Sequence, residues 1–406
     1  MQILIHGLNF SPEQVGIGKY TGELAIAMDA TGHSIHVVTT PAYYPEWKIH
    51  KGFSGRGYSR EKLNNVSVIR CPLWVPKKPT GLKRIVHLAT FGVSSIPAVF
   101  WKSLARPDVI FVIEPSMFCL PTSWFAAKLC GAKLWLHIQD FEVDAAFELG
   151  ILKSRFLKSF VGSIEAFMMR RFDRVSSISP KMLEKAIEKG VDTSRIRLFP
   201  NWVDCNKIFP IEHSKPLKEK FELPSHKTIA LYAGNMGEKQ GIEIIVDSAR
   251  KLAIRDDLHF VLCGLGAAYD RLRDYAEGVE NITWLPIQED GRFNDLMNAA
   301  DIHMLPQKSG TADLVMPSKL TGMLASGRPI VAVAEVGTEI HQVVSRCGIV
   351  VEPDDLIGFA NAIEQLHLNR EQRIAFGHRG REFAVKNLSM KVIINRFVSD
   401  LVELTS

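Results

Sequence analysis

Short blocks of consecutive apolar residues recur along the chain, separated by stretches whose apolar positions return with a helical period. Gln2–His6 is the first block, and the loop Gly7–Gly18, a helix over Lys19–Ala30 and a strand over Ser34–Thr39 follow it. Val109–Ile113 and Lys133–Ile138 read as continuous aliphatic strands of the kind buried on both faces of a parallel sheet, with a helix over Thr122–Leu129 between them. Helices over Phe156–Arg171 and Pro180–Lys189 alternate with strands over Arg174–Ile178 and Ile196–Phe199, and Gly190 closes the second helix. Then Pro200-Asn201-Trp202-Val203-Asp204, with Phe209-Pro210 behind it, breaks the pattern and marks a domain boundary.

The alternation restarts at the strand Thr228–Tyr232, which ends in Ala233-Gly234-Asn235-Met236-Gly237-Glu238-Lys239. A helix over Ile242–Ala253 follows, then the strand His259–Cys263 ending in Gly264-Leu265-Gly266, and further strands over Asn281–Leu285 and Ile302–Leu305 on either side of a helix over Arg292–Ala299. Gln372–Leu404 is almost wholly helical in pattern. The prediction is an α/β protein of two doubly wound, Rossmann-like domains, residues 1–204 and 205–385, with 386–406 a C-terminal helix crossing back onto the first. A chain of 406 residues is too long for one ordinary core, and two domains of about 200 residues suit it.

Two segments depart from the alternation. Tyr43–Pro79, with Tyr44, Trp47 and Trp74 among prolines and charged residues, reads as a long aromatic surface excursion that could shape an acceptor site. Ile85–Trp101 is a run of 17 residues with basic residues before and after it, shorter than the ~20 a membrane span needs. It is either a buried helix or one that docks on a membrane face.

Composition changes the picture little. The chain is 46% hydrophobic and 23% charged, as globular proteins are, and its net charge of +5 suits an anionic ligand or membrane surface. No helix-turn-helix, zinc-finger or RNA-binding sheet motif is present, so nucleic acid is not expected as a partner. Six scattered cysteines without a CxxC pair read as reduced thiols of a cytoplasmic protein, and MQILIHG reads as a first strand, not a signal peptide.

Three places carry candidate chemistry. Gly16, Gly18 and Gly22 are spaced GxGxxxG and stand too far beyond the first strand for a dinucleotide fingerprint; a loop covering a phosphate or an acceptor, or one that merely permits the turn, remains. His137 and Asp140 lie at the carboxyl end of a parallel strand, where open sheets place ligand chemistry, although His137 is within the strand and could be a core histidine. In Gly310–Val331, Pro317 and Ser318 stand where a helix begins, so backbone N–H groups and the charge of Lys319 could meet an anion; an ordinary capped core helix is the alternative.

Taken together, GLNFSPEQVGIGKYTGE, PAYYPEW, CPLWVPKKPTGLKR, LHIQDFEVDA, FPNW, YAGNMGEKQGIE and PSKLTGMLASG resemble the retaining GT-B glycosyltransferases of family four, and within them the colanic-acid-type exopolysaccharide enzymes often described as fucosyltransferases. The resemblance covers nearly the whole chain. It implies a nucleotide-diphosphate sugar held in the cleft between the domains, a lipid-linked oligosaccharide acceptor, and a cytoplasmic enzyme peripheral to the membrane. It places Gly16 and Gly18 near the donor diphosphate, with Gly234, Asn235 and Gly264 in the donor loops. Lys239 matches the family's clamping lysine, while the arginine position reads Asn235, a lost charge for which Lys319 is expected to compensate. The family's paired glutamates fall on Leu314 and Gly322, leaving Asp313 as the nearest carboxylate, and the family's histidine falls on Gln139 beside Asp140. The helix start Pro317–Leu320 retains the backbone device for phosphate, which needs no particular side chain. With no DxD spacing and no His/Cys cluster, no essential metal and no cofactor beyond the donor substrate are expected. A nucleotide-sugar epimerase on the same scaffold and a non-catalytic binding subunit are the rival readings.

Overall fold

The computed structural model describes residues 1–77, 81–141, 155–212, 214–308 and 317–406, with every side chain among them except those of residues 155–158, 239 and 290. The chain divides into two compact units, Met1–Asn201 with Ile394–Ser406, and Trp202–Ile393. The sequence reading places its divisions after residues 204 and 385.

Unit 1 is built on an eight-stranded sheet. In chain order its strands are β1 (Gln2–Gly7), β2 (Ser34–Thr39), β3 (Ser59–Leu63), β4 (Val66–Arg70), β5 (Val109–Glu114), β6 (Lys133–Ile138), β7 (Arg174–Ser177) and β8 (Ile196–Leu198). They lie in the order β3-β4-β2-β1-β5-β6-β7-β8, parallel throughout except β3 against β4. Every residue of β5 is buried, as expected of a central strand covered on both faces. The β3–β4 hairpin corrects the expectation that Tyr43–Pro79 is all loop. The strand β3 escaped notice because SREKL has no apolar alternation: it is an exposed edge strand, where charges block further pairing.

Helices Leu82–Ser103, Cys119–Cys130 and Arg155–Met169 lead into β5, β6 and β7. Each connection steps in the same direction across the sheet, so right-handed crossovers place all three on one face. The first two are in intimate contact: a Cβ on Gly92 would meet Phe118 Cβ at 2.5 Å.

The chain ends in helix Met390–Thr405, whose residues from Ile394 onward belong to unit 1. Its Phe397 stacks on Phe199 at 4.6 Å and meets Phe111 and Trp135 at 5.1 and 4.8 Å. Glu403 accepts from Arg174 and Arg197 at 2.6 and 2.9 Å. The helical stretch expected over Gln372–Leu404 is interrupted. Helix Arg370–Phe383 widens into a π-type turn over Ala384–Leu388 before the last helix begins. The backbone of Val203 enters there, donating to Leu388 O at 2.9 Å and accepting from Met390 N at 3.0 Å.

Unit 2 holds a six-stranded, fully parallel sheet: β9 (Thr228–Ala233), β10 (Leu258–Cys263), β11 (Ile282–Leu285), β12 (Ile302–Leu305), β13 (Ile330–Val333) and β14 (Gly348–Val351), ordered β11-β10-β9-β12-β13-β14. The sheet order reverses at β9, where Ala230 pairs with Phe260 on one side and Ile302 on the other. In open α/β sheets that switch point is where the carboxyl-end loops diverge and leave room for a ligand.

Candidate functional site

The loops after β9 and β10 lie backbone against backbone. Gly234 N donates to Cys263 O, Met236 N to Leu265 O and Ala268 N to Met236 O, each at 2.9 Å. Gly264, at φ +150°, allows this approach, since a Cβ there would lie 1.9 Å from Gly234 O. Asn235, exposed beyond the strand, sets its Oδ1 against Gly266.

Lys319 is brought to the same point by the helix Ser318–Ala325. Its Nζ donates to Tyr232 Oη at 3.2 Å and stands 4.8 Å from the Tyr232 ring centroid. Tyr232 in turn donates to Asn235 O at 2.6 Å. Burial pushes the Tyr232 phenol up, so it stays protonated and can hold both partners at neutral pH. The lysine stem passes Gly234, where a Cβ would sit 3.5 Å from Lys319 Cδ. A cation is thus fixed at the switch point, on the first turn of a helix whose dipole is positive at the same end.

The helix start is simpler than its sequence promises. Pro317 is the cap residue and supplies no side-chain cap. Leu320 N donates to Pro317 O at 2.9 Å and the Leu320 side chain is fully buried, so the anion-facing role reduces to the amides of Ser318 and Lys319. A side chain at Gly322 would head toward Ile208, Phe293 and Met297 at 3.6 to 4.0 Å. That is the apolar core of unit 2, so the position expected to hold a carboxylate is one where a charge would be desolvated without a partner. Asp313 and Leu314, with the rest of 309–316, lie outside the described residues, as does the side chain of Lys239, whose backbone sits in the turn Glu238–Gln240. Lys308, which sequence reasoning missed, follows β12 and lies 3.5 Å from Glu243 and 4.0 Å from Glu238, which also accept from Arg271. Its one signal was position, just beyond the carboxyl end of a central strand.

In unit 1 the glycines have another use. Helix Gly16–Ala30 starts earlier than predicted, so Gly16 and Gly18 belong to its first turn and not to a loop. Gly16 adopts φ +62° under Tyr44, and a Cβ on Gly18 would lie 2.3 Å from Glu13 Oε2. The space is taken by Glu13. Its carboxylate is buried, accepts from Asn9 Nδ2 at 2.9 Å and from the amides of Tyr43 and Tyr44 at 3.1 Å, and is pushed above the usual carboxylate range by that burial. Nearby in the chain's first loop, Ser11 O accepts from the buried Arg70 at 2.5 Å, which also donates to Thr40 O at 2.7 Å and Glu61 at 2.8 Å. Neither residue announced itself in the sequence, because nothing local shows that a charge in a loop, as Glu13 is, or at a strand end, as Arg70 is, will be buried.

His137 is a core histidine and is corrected as a candidate base. It lies between Phe111 and Phe199, with Nδ1 3.0 Å from Ser176 Oγ and Nε2 3.1 Å from Gln139 Nε2. Desolvation lowers its pKa to about 3, which keeps it neutral. Asp140 is exposed, past the end of β6. Among the described residues no group of three or more His, Cys, Asp or Glu side chains could hold a metal ion.

The comparisons with known proteins agree with this layout. Residues 15–202 match the glycosyl transferase 4-like domain and residues 227–369 the glycosyl transferases group 1 model. The chain is 38% identical over 99% of its length to the whole of the colanic acid biosynthesis glycosyl transferase WcaI of Escherichia coli (strain K12). Among solved structures it is similar to the sucrose-phosphate synthase of Thermosynechococcus elongatus, with TM-score 0.75, 17% identity and 99% and 98% of the two chains covered. It is also similar to Anabaena Alr3699/HepE in complex with UDP-glucose, with TM-score 0.68, 13% identity and 99% and 100% covered. The two parallel-sheet units are those of the GT-B fold, and the chain belongs to the glycosyltransferase family that these models and the full-length relative define.

Proposed function

We propose that this glycosyltransferase acts in exopolysaccharide biosynthesis of the colanic-acid type, moving a sugar from a nucleotide-diphosphate donor to a lipid-linked oligosaccharide at the cytoplasmic face of the membrane. The full-length relative supports the pathway class. Fucose from GDP-fucose is the donor proposed, and the transfer is proposed to retain the anomeric configuration without an essential metal.

The observation that carries the reading is Lys319, held by Tyr232 at the end of β9 on the first turn of a helix. As the bond between the anomeric carbon and the diphosphate breaks, negative charge grows on the leaving phosphate oxygen. A fixed ammonium and two helix-start amides stabilise that charge more than they stabilise the intact donor, which is what lowers a barrier. The acceptor hydroxyl attacks from the face the diphosphate leaves, and the departing phosphate oxygen takes its proton, so no side-chain base is needed. The buried, neutral His137 is consistent with that economy.

The test is a donor screen with purified enzyme and a lipid-linked acceptor, with the anomeric configuration of the product read by NMR. GDP-fucose is expected to be used and the α or β configuration kept. Tight donor binding without transfer from any nucleotide-diphosphate sugar would make the chain a binding subunit, and loss of transfer in EDTA would refute the metal-free mechanism.

A further inference from the structure

At the carboxyl end of β6 a chain of hydrogen bonds ends on one uncommitted oxygen. Trp135 Nε1 donates to Ser176 Oγ at 2.8 Å, and Ser176 Oγ donates its own hydrogen to Leu136 O at 3.4 Å. The hydrogen in the 3.0 Å contact between Ser176 Oγ and His137 therefore belongs to His137 Nδ1. Desolvation keeps that imidazole neutral, with a single N–H, so its Nε2 presents a lone pair.

The lone pair meets Gln139. Gln139 Nε2 stands 3.1 Å from His137 Nε2 and donates to Asn201 Oδ1 at 3.3 Å. An amide nitrogen has two hydrogens and no lone pair, so both hydrogens are committed and the orientation of the amide is fixed. What remains is Gln139 Oε1, an acceptor on a half-buried side chain just past the strand, and no donor among the described residues reaches it. His137, Gln139 and Asn201 all belong to unit 1, at the end of an open parallel sheet where ligands bind.

The chemistry of that oxygen selects its ligand. It takes hydrogens and gives none, so it repels a phosphate or carboxylate oxygen, and the exposed Asp140 one residue on adds to the repulsion. A sugar hydroxyl fits. The attacking hydroxyl is not the one, because its single hydrogen goes to the departing phosphate oxygen. The hydroxyl at Gln139 is one that stays intact, and an amide holds it without deprotonating it.

We propose that Gln139 Oε1 is a specificity-determining contact for an unreacting hydroxyl of the donor or acceptor sugar, and that His137 and Asn201 are positioning residues that hold its amide in the accepting orientation. The assignment rests on the proposed sugar transfer and deepens it: a buried histidine that is no base still serves the reaction, through Gln139. Nitrogen NMR of the full chain is expected to show His137 with a bare Nε2 and a protonated Nδ1. A proton on Nε2 would turn the Gln139 amide round and overturn the proposal.

In Gln139→Leu, calorimetry with GDP and with GDP-fucose is set beside KM for the lipid-linked acceptor. Loss of one neutral hydrogen bond should weaken GDP-fucose by about tenfold with GDP unchanged, or raise the acceptor KM by about tenfold with kcat unchanged. Whichever moves identifies the sugar. Asn201→Leu should weaken the same step severalfold, and Asn201→Asp, which keeps the accepting oxygen, should restore it. A purely structural role predicts instead a lower melting temperature with neither step moved, or equal weakening of GDP and GDP-fucose; either result overturns the proposal. A parent chain that binds GDP-fucose but transfers nothing would sink the catalytic reading, while the calorimetry and the His137 tautomer would still decide the Gln139 contact.

Discussion

Beside the two sheets the same residue type serves opposite ends: in strand-end loops in unit 2 and at a helix start in unit 1. In unit 2, Gly234 and Gly264 let two loops approach backbone to backbone and leave a lysine beside them. In unit 1, Gly18 makes room for a buried carboxylate of the chain itself, and Glu13 ties the first loop to the amides of Tyr43 and Tyr44. One sheet holds a cation at its switch point; beside the other, the helix-start Gly18 serves internal anchorage. A glycine-rich loop therefore signals close approach, but what approaches is settled by the fold.

The sharpest way to break this contrast is at Lys319. Lys319→Ala is expected to lower kcat/KM by about 10²- to 10³-fold with nearly unchanged urea stability, and Lys319→Arg to recover part of the loss. Unchanged kinetics would show that the cation has no part in the chemistry. Next in size is Gly264→Ala. Its methyl would overlap Gly234 O, so a loss of roughly 3 kcal/mol or more is expected from chemical denaturation. Gly18→Ala should cost about 2 kcal/mol by displacing Glu13 from its partners, with donor binding in unit 2 unaffected. Altered donor affinity in that variant would show that the unit 1 glycines do touch the donor.

A subtler effect concerns pH. Burial raises the Glu13 pKa in the folded state, so its contribution to stability is full below the unfolded carboxyl pKa and is lost as pH rises through the folded value. Glu13→Gln does not titrate, and should therefore gain stability relative to the parent as pH is raised through that window; a constant gap between the two would refute it. Smallest of all is Arg271→Ala, which removes exposed ion pairs with Glu238 and Glu243 and should leave the urea midpoint unchanged.

Much of this was written in the pattern of the chain. Continuous aliphatic blocks such as Val109–Ile113 announce buried parallel strands because only a strand covered on both faces can afford no polar position. The alternation of such blocks with amphipathic helices specifies doubly wound sheets, and the handedness of their crossovers follows from backbone chirality. PSK at the head of a helix left two readings open, a cation near free amides or an ordinary capped core helix.

What the local pattern lacks is the identity of distant neighbours. His137 at a strand end looked like a base until Phe111, Phe199 and Ser176, from three other parts of the chain, closed around it. Gly322 looked like a lost carboxylate until its missing Cβ was seen to face Ile208 and Phe293. Glu13 and Arg70 gave no sign of burial, since burial depends on everything that packs later. Element type and order follow from short-range periodicity and were determined by the sequence itself. Which of its charged and glycine positions meet solvent, core or ligand is a property of three-dimensional enclosure, and only the tertiary structure decided it.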